Sequence, residues 1–195
     1  MENEVQEPAV QYNYLTADNY LQIDRASVER HELHEGTLIT MQGVSIQHGR
    51  ITSRIVGRLE PFLRGKPCEV LPGEIRLKTP GVDTFTYPDC MIICGKPETT
   101  DDKYDIVKNP SVVFEILSPS TQDIDLGRKF FYYLQIPSLK EYITISSTEI
   151  MVRVSRKQPD NSWKFEQFND STTSFLIETI GYAFSLNDLY ALTNL

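Results

Sequence analysis

Hydrophobic positions along this chain recur with two periods. Behind Thr16, a residue able to cap a helix, residues 17–30 read as helical. Behind Ser45, Ile51, Ile55, Leu59 and Phe62 repeat at helical spacing to about Leu63. Between these segments, 31–41 reads as a tight hairpin turning at His34-Glu35-Gly36, with Leu33, Leu38 and Ile39 to bury. Pro67 and Pro72 bracket a strand that continues as the alternating Glu74-Ile75-Arg76-Leu77, and Gly81-Val82-Asp83 reads as a turn. Two apolar runs follow, 87–94 and 111–118, separated by a polar, proline-containing loop at 96–110. Pro119 stops the second run, and Ser120 or Thr121 can cap a helix to about Gln135 that buries Leu126, Phe130 and Leu134 before Pro137 ends it. A buried strand at 142–145, a polar-faced hairpin over 149–154 and 163–168, and a short helix at 187–190 complete the pattern. The core order of helix, three strands, helix and strand, with extra hairpins at both ends, predicts an α/β fold: a mixed sheet flanked by helices.

Each of the two apolar runs carries a single acid. Tyr87-Pro88-Asp89-Cys90-Met91-Ile92-Ile93-Cys94 holds Asp89, and Ser111-Val112-Val113-Phe114-Glu115-Ile116-Leu117-Ser118 holds Glu115. An unpaired carboxylate in a buried strand costs roughly 2–5 kcal/mol even after relaxation, so such acids are expected to hold a cation. By the two-residue period of a strand, Glu115 shares a face with Val113 and Leu117. If the strands are neighbours, the two acids converge on oxygen-ligand chemistry suited to Mg²⁺ or Mn²⁺, with water and phosphate completing the shell. Lys129 lies one turn from Asp125 and one from Tyr133 on the following helix, where its ammonium can orient water or stabilise charge on phosphate. Glu32 on the first hairpin and His48 in the first turn of the second helix are weaker candidates for the same centre. Arg50, Arg54 and Arg58 form a basic stripe beside the apolar face of that helix. Each feature also has an ordinary reading: a strand-end acid paired with a base, a Lys129–Asp125 helix pair, a helix-end histidine, a hairpin surface acid, a solvated arginine face.

Composition narrows the setting. The 195 residues are most simply one domain, 1–195, with 1–14 a loose tail. The net charge of −8 counts against indiscriminate binding of nucleic acid, though it leaves room for a local basic patch. Cys68, Cys90 and Cys94 are too few for a disulfide framework, and Cys90 and Cys94, about 13 Å apart along a strand, can share neither a disulfide nor a zinc. They are expected to be reduced core residues of a cytoplasmic protein. No stretch approaches a membrane span, and the acidic N-terminus lacks the order of a signal peptide.

The stretch from Asn109-Pro110 to Ser120-Thr121, continuing through Lys129, Tyr133 and Glu141-Tyr142, resembles the Uma-two family of endonucleases within the PD-(D/E)XK superfamily. The Glu32-Leu33 to Gly36 hairpin, His48 and Tyr87-Pro88-Asp89 fit the same pattern in order, so the resemblance runs from about Leu15 to Tyr190. It implies a restriction-endonuclease-like fold, with Asp89 and Glu115 as metal ligands and Asp89, Glu115, Lys129 and Glu32 as the catalytic set. The superfamily's usual lysine stands two residues after the glutamate. Leu117 occupies that position here, and the resemblance implies that Lys129 replaces it.

Three functions compete on this reading. The first is a Mg²⁺- or Mn²⁺-dependent endonuclease hydrolysing phosphodiester bonds, with nucleic acid, DNA in the first instance, meeting His48, Arg50, Arg54 and Arg58. A homodimer would suit the cutting of two strands. The second is a catalytically inactive nuclease-fold module used for binding or regulation, motivated by Leu117, the acidic charge and the apolar Phe130-Phe131-Tyr132-Tyr133 cluster. The third, two carboxylates acting on a glycosidic bond, has little support from a chain with one tryptophan.

Overall fold

The computed structural model describes residues 14–81, 83–118, 125–193 and 195, with only the backbone described at Asp125. Helix α1 (Ala17–Ala26) is capped by Thr16, whose side chain accepts from the Asn19 amide; it ends four residues before the expected limit. The hairpin of β1 (His31–His34) and β2 (Thr37–Thr40) turns through Glu35 and Gly36, both with positive φ. That conformation matches the right-handed twist of the strands and is the reason for glycine there. Helix α2 (Ile46–Leu63) starts at Ser45 as expected and buries His48, Ile51, Ile55, Leu59 and Leu63.

Next come β3 (Cys68–Pro72), β4 (Arg76–Lys78), β5 (Phe85–Thr86) and β6 (Cys90–Cys94). Asp89 therefore stands just before its strand rather than within it. The loop expected at 96–110 contains a short buried strand, β7 (Ile106–Val107), which pairs with β4 in parallel. Strand β8 (Val112–Leu117) is buried throughout. A single π-helical turn (Asp125–Lys129) then leads into α3 (Phe130–Leu134). The chain continues through β9 (Glu141–Ser146), β10 (Val152–Lys157), β11 (Trp163–Phe168), β12 (Ser174–Ile177) and β13 (Tyr182–Ser185) to α4 (Leu186–Leu189).

The strands form three sheets, the expected mixed sheet flanked by helices and two smaller ones of five and two strands. The largest has the order β11-β10-β9-β8-β6-β3, antiparallel except for the central β8–β9 pair. A five-stranded sheet runs β2-β1-β5-β4-β7, and β12-β13 make a hairpin. One face of the six-stranded sheet packs Phe114, Ile116, Ile143 and Val154 against Ile51, Ile55 and Leu59 of α2 and against Phe175 and Phe184 of the last hairpin. The other face packs Met91, Ile93, Val113 and Tyr142 against Tyr133, Ile136 and Leu139 around α3 and against Leu77 and Val107 of the second sheet. Full burial of each such aliphatic side chain is worth about 1.5–3 kcal/mol, which makes β8, covered on both faces, a rigid base for the acid it carries.

Two expectations are corrected by the structure. Cys68 and Cys94 lie opposite each other in the β3–β6 ladder and are joined by a disulfide, so only Cys90 is free. Leu126 is exposed, and the buried side chains of the π turn and α3 are Lys129, Tyr132 and Tyr133. The wider π turn advances the buried stripe past the positions a regular helix would bury. The expected caps Ser120 and Thr121 and the turn residue Val82 lie outside the described residues, as does the tail apart from Tyr14.

Candidate active site

Strands β6 and β8 pair through Cys90 and Phe114, so the next positions outward, Asp89 and Glu115, stand side by side at the end of the ladder. The two acids are held differently. Asp89 Oδ2 accepts from the Ile116 amide at 2.6 Å, and Oδ1 lies 2.7 Å from His48 Nε2. Its side chain stays 20% exposed, which leaves the carboxylate an open side. Glu115 is buried, and its Oε1 accepts from the Tyr133 hydroxyl at 2.7 Å and from Lys129 Nζ at 3.2 Å. Lys129 Nζ in turn lies 2.9 Å from Glu32 Oε1. Four sequence-expected residues, Glu32, Asp89, Glu115 and Lys129, thus fall in one cluster, joined by His48. Leu117, on the Glu115 face of the strand, is buried, and the ammonium reaches Glu115 from the π turn instead.

Glu32 is the electrostatic hinge of the cluster. Burial alone would push its carboxyl up. The charge of Lys129, the 2.9 Å contact of Oε2 with His34 Nε2 and the Tyr87 amide donating to Oε1 at 2.8 Å outweigh burial, bringing it from an ordinary 4.5 to about 2. Tyr133 is raised well above the usual phenol range, first by burial and then by the charge of Glu115, so its hydroxyl stays protonated and donates. The Cys90 thiol is likewise pushed up by burial and by the nearby Asp89 and Glu115 charges, which makes it an inert core thiol.

Among the described residues no three His, Cys, Asp or Glu side chains group to enclose a metal ion. The pair Asp89–Glu115 instead fits an open, two-carboxylate site for a hard divalent cation. Each carboxylate oxygen has two lone pairs, so the bonds on Asp89 leave room for a further ligand, and water or phosphate completes such a shell.

The arginine stripe lies apart from this cluster along α2. Arg58 pairs with Asp188 at 3.1 Å and Arg50 donates to the Leu192 carbonyl, so the C-terminal segment engages two of the three. Arg54 Nε is buried with no partner among the described residues. His48, grouped with these arginines from sequence, belongs by position to the carboxylates. The sequence reading missed Tyr133 as a donor to Glu115, His34 behind Glu32 and the amides of Tyr87 and Ile116. The i, i+4 spacing of Lys129 and Tyr133 was the one visible signal among them.

A family model described as "Putative restriction endonuclease", Uma2, matches residues 17–188. The chain belongs to the Uma2 family. Two proteins of Synechocystis sp. are similar over most of their length. The uncharacterized protein slr1290 is 28% identical over 183 residues, covering 94% of this chain and 95% of that one. The uncharacterized protein sll1609 is 33% identical over 149 residues, covering 76% and 84%. A crystal structure from Anabaena variabilis, described as "a putative nuclease belonging to DUF820", superposes with a TM-score of 0.77 at 19% identity, over 92% of this chain and 99% of that one. The Uma2 chain therefore shares a nuclease-like fold with that protein. No described helix is long and apolar enough to cross a membrane.

Proposed function

We propose that this Uma2 protein is a metal-dependent endonuclease that hydrolyses phosphodiester bonds at Asp89 and Glu115. The observation carrying this reading is the juxtaposition of the two acids at the end of one ladder, with Lys129 Nζ 3.2 Å from Glu115. Asp89 and Glu115 would hold Mg²⁺ or Mn²⁺, whose Lewis acidity would polarise a phosphoryl oxygen and acidify water. His48 and the Ile116 amide fix Asp89 in one orientation, and Tyr133 fixes Glu115. Lys129 orients the attacking water and stabilises negative charge that builds on the phosphate. Glu32 touches Lys129 rather than substrate and acts as a positioning residue, holding the ammonium at the acids.

The test is cleavage of single- and double-stranded DNA in Mg²⁺ and Mn²⁺. Wild type should cut. Asp89→Asn and Lys129→Met, checked by circular dichroism for retained fold, should lose roughly 100-fold or more of the rate. Undiminished cutting by folded Asp89→Asn would reject the site. The second reading, an inactive binding module, draws on Leu117 at the usual lysine position. It expects wild type to bind nucleic acid without cutting it in either metal.

A further inference from the structure

The sheet face that carries Glu115 does not stop at β8. The register runs Glu115 to Thr144 on β9, Thr144 to Arg153 on β10, and Arg153 to Gln167 on β11, a single cross-strand row. The adjacent row runs through Tyr142 and Ser155 to Phe165. These rows floor a groove of about 320 Å³, whose wall is Phe130 at the start of α3. Phe130 stacks on Tyr142 with ring centroids 5.6 Å apart and lies 5.9 Å from Phe165. Phe165 is 65% exposed on the edge strand, and Arg153 Nε donates to Gln167 Oε1 at 3.0 Å on the floor. With neighbouring strands about 4.8 Å apart, the far end of the groove is roughly 14 Å from Glu115.

We propose that this groove receives an unpaired base of the substrate strand, beside the phosphate held at Asp89 and Glu115. The inference rests on the nuclease reading above and names the substrate class: nucleic acid with a single-stranded or extruded nucleotide next to the cut. An aromatic wall with Arg, Gln, Thr and Ser on the floor offers a ring both stacking and hydrogen bonds at its edge. The volume admits one nucleotide, not a duplex, and a base stacked inside a duplex presents no free face to Phe165. Continuity with the carboxylate row singles out a strand running through the site over a separate ligand.

The test uses labelled DNA oligonucleotides without metal, followed by anisotropy: a single strand, the same strand with one abasic position scanned along it, and a duplex. The single strand should bind more tightly than the duplex, and one abasic position should weaken it. Phe165→Ala should weaken single-strand binding about tenfold with duplex binding unchanged, and Phe165→Tyr should restore it. Equal loss for both forms, or no effect of Phe165→Ala, overturns the groove. So does concentration-dependent self-association abolished by Phe165→Ala, which would mark β11 as a contact between copies. Cutting in Mn²⁺ separates this failure from failure of the nuclease reading. Equal cutting of single strand and duplex, unaltered in Phe165→Ala, rejects the groove and leaves the nuclease standing, whereas no binding or cutting of any form rejects both.

Discussion

Glu32 shows how a side chain can be chosen for what it does to another. It is buried, so it would be costly as an isolated anion, yet Lys129, His34 and the Tyr87 amide hold it ionised. Because its folded pKa, about 2, lies below its ordinary 4.5, the stability it contributes is fully present above about pH 4.5 and is lost as the pH falls toward 2. Denaturant midpoints measured across that window should fall for wild type more steeply than for Glu32→Gln. Equal slopes would mean that Glu32 is not held ionised. At this scale the sequence was informative where a lone acid broke an apolar run, which is why Asp89 and Glu115 stood out. The partners that orient them were hidden, because His48 and Asp89 are 41 residues apart and Tyr133 and Glu115 are 18 apart, and only the fold brings them together.

Elements were read well where period and punctuation agreed. Ser45 and the Ile51-Ile55-Leu59 spacing gave α2 its bounds, and Glu35-Gly36 gave the first hairpin its turn. The turn has a consequence for stability. Gly36 has φ +81°, and a Cβ there would sit 2.3 Å from the Tyr14 ring, so Gly36→Ala should cost at least about 1 kcal/mol by chemical denaturation. The reading failed at the π turn, since an inserted residue changes the buried face without changing composition. It failed again at the cysteines, since the register that sets Cys68 against Cys94 arises from strand pairing rather than spacing. That disulfide closes a separation of 26 residues and ties edge strand β3 to β6. Reduction, or Cys68→Ala, should lower stability by about 3 kcal/mol on the loop-entropy model, read as a shift in denaturant midpoint. An unshifted midpoint would mean that the bridge adds nothing in solution.

For the whole molecule, the α/β class was legible, but its division into a six-stranded and a five-stranded sheet was not. The second sheet is joined to α1 by a buried network invisible to hydrophobic patterning. Asp24 Oδ2 accepts from Arg76 Nε at 2.8 Å and from the Tyr87 hydroxyl at 2.7 Å, and Arg76 reaches Asp105 at 2.6 Å. Tyr87 bridges this network to the carboxylate cluster, since its amide serves Glu32 while its hydroxyl serves Asp24. Breaking a buried pair typically costs about 3–5 kcal/mol, so Asp24→Ala should be among the most destabilising substitutions in the α1 region by thermal or chemical denaturation. The divalent ion proposed to be shared by Asp89 and Glu115 is tested most directly by Mn²⁺ binding, followed by water-proton relaxation in wild type and Asp89→Asn. One Mn²⁺ per chain in wild type, lost in a variant of unchanged circular dichroism, is the expected result. Equal binding in both, or none in wild type even with DNA present, would contradict the two-carboxylate site.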